Sequence, residues 1–395
     1  LWENFCVSSN YELGSVIKPI IVASALESGA VSDSDVFICD GGEQIGNDYV
    51  RCAVYPYAHG TETLGEVIQN SCNDGMMAIG RKMGAALLLD YQSRFNFGSR
   101  TGIDLPNESS GAIYTLDQMK DMELASTTFG QGFTSTMIQE ISAVSAVING
   151  GTYYQPHVVK EIKSQEDGSV LKTNEGNVLK QIVSSDVSEK IREYMGMSVT
   201  SGTSRKSKVQ GYSMGGKTGT AEILSTKEKD YLVSFIGFAP LDTPQVVVYV
   251  VVDRPNVEEQ ADSSYAQYIA QAILDEILPY MNIYPDEETE ETTKLWDGFK
   301  GVLKLDDSEV EVDEPAVQTE GSETGTDNAP DIEVVQDESG SSEEYNDEES
   351  DGVASENVGY EENDSEDVSD EEDTSSDNFE EDTSNQDDYE EDEGE

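Results

Sequence analysis

Three short strings place hydroxyl, amine and amide side chains at spacings that suit acyl transfer. Ser15-Val16-Ile17-Lys18 sets a hydroxyl three residues ahead of an amine. On a helix that spacing puts both side chains on one face. A serine at the helix start also lies among free backbone N–H groups, which stabilise a developing oxyanion. Lys18 can take the hydroxyl proton once burial and a neighbouring cation lower its pKa, and Lys217 is a candidate for that cation. Ser71-Cys72-Asn73 adds a second serine suited to relaying a proton and an amide suited to holding a substrate peptide. Lys217-Thr218-Gly219-Thr220 adds a glycine flanked by hydroxyls beside a lysine. A strand of that composition can pair edgewise with an extended peptide and hold its terminal carboxylate. The three strings, in this order, form the S-x-x-K, S-x-N and K-T-G set of serine acyl-transfer sites.

Each string alone also fits a purely structural role. Ser15 could be a helix N-cap and Lys18 a surface lysine. Ser71 and Asn73 are common capping residues, and Gly215 to Thr220 would serve as a glycine-rich hairpin arm. Other motifs fail on inspection. Gly211-Tyr212-Ser213-Met214-Gly215-Gly216-Lys217-Thr218 has phosphate-loop spacing, but strand-like residues follow it where a helix is required. Asp347, Glu349, Asp351 and Gly352 begin like a calcium loop, yet Val358 stands where the bidentate glutamate belongs. Glu108 lies in the interval where some hydrolases keep a water-activating glutamate, but Ser109-Ser110-Gly111-Ala112 follows it in place of that loop's pattern, and Glu108 reads as part of a surface turn after Pro106-Asn107. The four cysteines, Cys6, Cys39, Cys52 and Cys72, contain no C-x-x-C pair, and only His59 and His157 could join them. That pattern argues against zinc. Cys39 and Cys52 bracket one loop and suit either a disulfide outside the cytoplasm or two free thiols.

The elements that must position these groups are legible in outline. Residues after Gly14 are apolar nearly all round and stop at Gly29, which predicts a buried helix. Thr61 to Ile68 and Asp74 to Gly84 read as two helices with Ser71-Cys72-Asn73 at their joint, and Met137 to Ile148 as another. Met214–Ile223, Leu232–Phe238 and Gln245–Val252 are short, β-branched or aromatic, and separated by turn residues. A last helix, Tyr265 to Tyr280, offers Ile269, Ala270, Ile273, Ile277 and Leu278 to cover the sheet. Helices first and strands later predict an α+β fold, an antiparallel sheet covered by helices with a helical subdomain.

Composition divides the chain in two. Of 395 residues, 81 are acidic and 23 basic, a net charge of −58. Lys304 is the last basic residue, and 40 of the acidic residues follow it. That segment holds too little apolar surface to offset ordering entropy of roughly 1–2 kcal/mol per residue. The division expected is a folded domain over 1–286 and a disordered acidic tail over 287–395, with Lys294 to Phe299 able to dock locally. Nucleic acid is excluded as a partner by like-charge repulsion.

Residues 1–286 resemble the transpeptidase domain of class B penicillin-binding proteins. The likeness rests on the three motifs together with Glu12-Leu13-Gly14-Ser15, Lys18-Pro19, His59-Gly60, Thr128-Phe129-Gly130-Gln131-Gly132, Asn149-Gly150-Gly151, Gln155-Pro156-His157 and Gly215 through Glu222. It implies that Ser15 is the acylated nucleophile, Lys18 its general base and Ser71 a proton relay. By the same resemblance Asn73 and Thr220 hold the donor peptide, Lys217 and Thr218 bind its carboxylate, and Gly219 belongs to the binding strand. The N–H groups of Ser15 and Thr220 would form the oxyanion hole. The implied partners are peptidoglycan stem peptides, β-lactams and wall-synthesis membrane proteins; no cofactor or metal is implied. The implied location is the extracytoplasmic face of the bacterial membrane. The competing readings are a D,D-carboxypeptidase or β-lactamase-like hydrolase using the same serine, and a non-catalytic wall or divisome interaction protein. Leu13 and Val16 depart from the family's usual proline and threonine. The family's two opening strands, pedestal domain and membrane anchor are not in this chain, so the sheet is expected to keep an unpaired edge and to fold poorly alone.

Overall fold

The computed structural model describes residues 3–223 and 229–288; the acidic segment and the Lys294–Phe299 docking string lie outside the described residues. A short helix α1 (Phe5–Ser8) leads to a 3-10 turn, Gly14–Ile17, which runs directly into α2 (Lys18–Glu27). Every residue of α2 from Lys18 to Ala25 is buried, as its all-round apolarity requires, and the chain leaves it through Gly29 at φ +72°.

Small strands β1 (Val36–Cys39), β2 (Gly42–Ile45), β3 (Asp48–Arg51) and β4 (Gly60–Thr63) follow, with β1 paired to β4 and β2 to β3. The single helix expected over 61–68 is therefore divided. Thr61 to Thr63 extend along β1, and Thr63 then caps α3 (Leu64–Gln69) in a reciprocal box with Glu66. The Thr63 amide bonds the Glu66 carboxylate at 2.7 Å, so the cap converts strand into helix at that residue. Helix α4 (Asn73–Arg94) begins with the Cys72 sulfur accepting the Gly75 amide and breaks at Gly84.

After α5 (Asp121–Thr128) and α6 (Met137–Ile148), two hairpin-like pairs form from β5 (Thr152–Gln155), β6 (Glu161–Lys163), β7 (Val170–Thr173) and β8 (Asn177–Gln181). Helix α6 is the one expected from sequence, and its capping box joins Thr136 to Gln139. Helix α7 (Ser185–Thr200) then crosses to the main sheet.

That sheet is antiparallel, in the order β11-β10-β9, built from β9 (Gly215–Ile223), β10 (Asp230–Ala239) and β11 (Val246–Asp253). Lys217 pairs with Ile236 and Thr218 with Phe235. Helix α8 (Ser264–Tyr280) covers β10 and β11 with part of the expected face, Ala270, Leu278 and the half-buried Ile277, rotated so that other positions join it. Ala266, Ala270, Leu274 and Leu278 are buried, whereas Ile269 and Ile273 are exposed. Two alanines, stacked one turn apart, let the helix approach Phe235 closely, and a pair of isoleucines there would hold it off.

Candidate active site

The three motifs come from three different elements and meet between α2, the α3–α4 joint and β9. Ser15 lies half-buried in the 3-10 turn, and the Lys18 amide donates to its carbonyl. Ser15 thus opens the helix, as its position in the sequence implies, but through a tighter 3-10 turn. Lys18 and Lys217 are both 0% exposed. The Lys18 amine donates to the Ser71 carbonyl at 2.7 Å, to the Asn73 Oδ1 at 2.8 Å and to the Ser71 Oγ at 3.2 Å. The Lys217 amine donates to the same Ser71 Oγ at 2.9 Å and to the Thr218 carbonyl at 3.0 Å. One hydroxyl therefore joins the amines of two distant motifs.

Two buried amines on one neutral acceptor cannot both stay charged cheaply. Desolvation lowers Lys18 to about 8, against an opposing pull from the Cys72, Cys52, Glu62 and Asp74 side chains. Desolvation also pushes Lys217 well below its usual value, and Lys18 adds repulsion. A buried lysine that loses its proton near neutral pH is equipped to act as a base.

Backbone geometry holds Ser15 against the strand. Gly14 sits at φ +62°, and a Cβ there would lie 2.6 Å from the Thr220 carbonyl oxygen. A Cβ on Gly219 would lie 3.0 Å from the Val16 side chain and 2.4 Å from the Ser234 hydroxyl. Both glycines are thus required by close approach, and the residues flanking Ser15 touch Gly219 and Thr220. The Gly14 amide bonds the Gly130 carbonyl at 3.0 Å, and the Gly132 amide bonds the Glu12 carboxylate at 3.0 Å, so the Phe129–Gly132 string braces the turn. Ser71 is held at φ +58°, uncommon for a residue with a side chain. Thr220 is exposed, and the Thr218 hydroxyl bonds Thr203 at 3.2 Å. Thr203 had no motif in the sequence to single it out.

Profile comparison assigns residues 1–275 to the penicillin binding protein transpeptidase domain. The chain belongs to this family. It is 38% identical over 304 residues to stage V sporulation protein D of Bacillus subtilis, covering 76% of this chain and 47% of that protein. It is 29% identical over 277 residues to penicillin-binding protein PbpB of Mycolicibacterium smegmatis, covering 66% of this chain and 41% of that one. Among solved structures, penicillin-binding protein 3 of Mycobacterium tuberculosis, complexed with aztreonam, aligns with a TM-score of 0.65 at 27% identity, covering 72% of this chain and 66% of the other. The chain thus spans less than half the length of these two curated relatives. The penicillin-binding fold of α-helices on an antiparallel sheet is the one expected from sequence.

Glu108 does not lie in a surface turn, as its sequence context suggested. It is buried and accepts from the Thr101 amide at 2.6 Å, the Thr101 hydroxyl at 2.5 Å and the Gly102 amide at 3.0 Å. Its carboxylate closes a loop and is committed there. The four cysteines are free thiols. Sequence spacing argued against a metal, yet folding brings Cys39, Cys52, His59 and Cys72 together, with all four ligand atoms within 4.8 Å of one another.

Proposed function

We propose that residues 1–286 form a penicillin-sensitive serine acyltransferase that cross-links peptidoglycan stem peptides, with 287–395 as an acidic appendage. The observation that supports this reading is the convergence of Lys18 and Lys217 on the Ser71 hydroxyl beside the Ser15 turn. Ser15 Oγ attacks the carbonyl of a D-alanyl-D-alanine bond, and its proton passes to neutral Lys18. The tetrahedral oxyanion is held by the N–H groups of Ser15 and Thr220. Ser71, bonded to both amines, relays a proton to the leaving D-alanine nitrogen as the C–N bond breaks. An amine from a neighbouring stem then attacks the Ser15 ester, gives its proton to Lys18 and restores the hydroxyl. Asn73 and Thr220 position the donor peptide, Lys217 and Thr218 meet its carboxylate, and Gly219 leaves room for edgewise pairing.

A β-lactam opens on Ser15 by the same first step, and the ampicillin- and aztreonam-bound structures of the mycobacterial relative lend support. No helix among the described residues is long and apolar enough to cross a membrane; the site would work on the extracytoplasmic face, where its substrate lies. Labelling with fluorescent penicillin tests the reading. One adduct per chain on Ser15, lasting hours and lost in Ser15→Ala, is expected. Turnover of the adduct within seconds would assign a β-lactamase-like hydrolase. D-Alanine release that ignores an added amine acceptor would assign a carboxypeptidase. Absence of labelling in folded protein would leave the non-catalytic reading.

A further inference from the structure

Cys39 ends β1, Cys52 follows β3, His59 precedes β4 and Cys72 caps α4, so four ligand atoms from four separate turns converge. The Cys52 and Cys72 sulfurs are 3.9 Å apart, and the Cys52 sulfur is 3.6 Å from the His59 Nδ1. A tetrahedral ion with bonds of about 2.3 Å to sulfur and about 2.0 Å to nitrogen sets edges of about 3.8 Å and about 3.5 Å. Both observed separations match those edges. A disulfide would need sulfurs about 2.05 Å apart.

The surroundings favour a cation as well. Cys39, Cys52 and Cys72 are 2%, 3% and 0% exposed and His59 is half-buried, so the cluster is largely shielded from solvent. The Cys52 and Cys72 sulfurs accept the Asn73 and Gly75 amides, each at 3.4 Å, which orients their lone pairs. Two buried carboxylates crowd the same place. Glu62 Oε2 is 3.7 Å from the His59 Nδ1, and Asp74 bonds the Gly41 amide through one oxygen. The Glu62 Oε2 and the other Asp74 oxygen have no hydrogen-bond donor besides the Cys72 and Cys39 thiols. Buried negative charge of this kind is costly without a compensating cation. Three sulfurs and an imidazole suit zinc and disfavour calcium or magnesium, which take oxygen ligands.

We propose that Cys39, Cys52, His59 and Cys72 bind one Zn²⁺ ion in a structural site. Cys72 stands between Ser71 and Asn73, the two residues that Lys18 grips, so the ion clips the α3–α4 joint to the β1–β4 pair. It acts as a positioning element for that joint. The metal site itself stands on its own geometry; its effect on acylation rests on the function proposed above.

The test uses the full chain, kept reduced, stripped with a chelator and titrated with Co²⁺. Saturation at one equivalent, with thiolate-to-metal charge-transfer absorption and the intense visible bands of tetrahedral cobalt, is expected, and Zn²⁺ should abolish both. Cys39→Ser and His59→Ala should each weaken Co²⁺ binding about tenfold or more, whereas Cys6→Ser, on exposed α1, should not. If the stripped chain loses structure, recovery of its circular dichroism on adding Zn²⁺ supports the proposal equally. Folded protein without the thiolate absorption would overturn it. So would a disulfide among Cys39, Cys52 and Cys72 that persists in the reduced chain. The zinc-loaded chain should acylate with fluorescent penicillin at least tenfold faster than the stripped chain, and equal rates would overturn the positioning role alone.

Discussion

Burial gives Lys18 the property that the proposed role of base requires. Its amine has only neutral acceptors in Ser71 and Asn73, and burial lowers it to about 8. The active form is the uncharged amine, so its fraction grows as pH rises. The acylation rate constant for a penicillin should therefore climb through about pH 8 and level above it; a rate flat from pH 6 to 9 would remove Lys18 from the role of base. Lys18→Ala should slow acylation by about 10²–10⁴-fold, the usual loss when a positioned base is deleted. Stopped-flow labelling measures both.

The element that matters most is the contact of the Gly14–Ile17 turn with β9. Gly14→Ala would need a left-handed backbone, at roughly 1–2 kcal/mol, and would drive its methyl into the Thr220 carbonyl. A lower melting temperature together with slower acylation is expected, because displacement of β9 also moves Lys217 and Thr220. The cap on α3 offers a contrast. Thr63→Ala removes a side-chain bond to the Glu66 amide and should lower stability by about 1 kcal/mol. The unfolding midpoint should shift while acylation of the folded fraction stays unchanged.

Across the whole molecule, Glu140 on α6 is fully buried, and neither carboxylate oxygen has a donor. Desolvation raises it to about 8. Its folded pKa thus exceeds the unfolded value of about 4.3. Its contribution is fully present below about pH 4.3 and is lost as pH rises through about 8. Glu140→Gln should therefore raise the melting temperature more at pH 9 than at pH 5, as calorimetry at the two pH values would reveal. An equal shift at both would contradict a protonated Glu140 in the native core.

Sequence alone singled out the candidate reacting groups, because S-x-x-K, S-x-N and K-T-G are local strings whose residue types carry their chemistry. It also determined the sheet strands and helices whose apolar periodicity is strong, such as α6 and β9 to β11. Other features depended on contacts between segments far apart in the chain. The division of 61–68 into β4 and α3 required β1 as a partner, and the rotation of α8 that buries Ala266 and Leu274 but exposes Ile269 and Ile273 depended on its packing against the sheet. Glu108 became a loop anchor only when Thr101 and Gly102 folded over it. Cys39, Cys52, His59 and Cys72 carry no joint spacing signal, since four separate turns deliver them to one point. Tertiary structure decided these because burial and proximity are properties of the packed chain, and no local pattern encodes which distant segment will arrive.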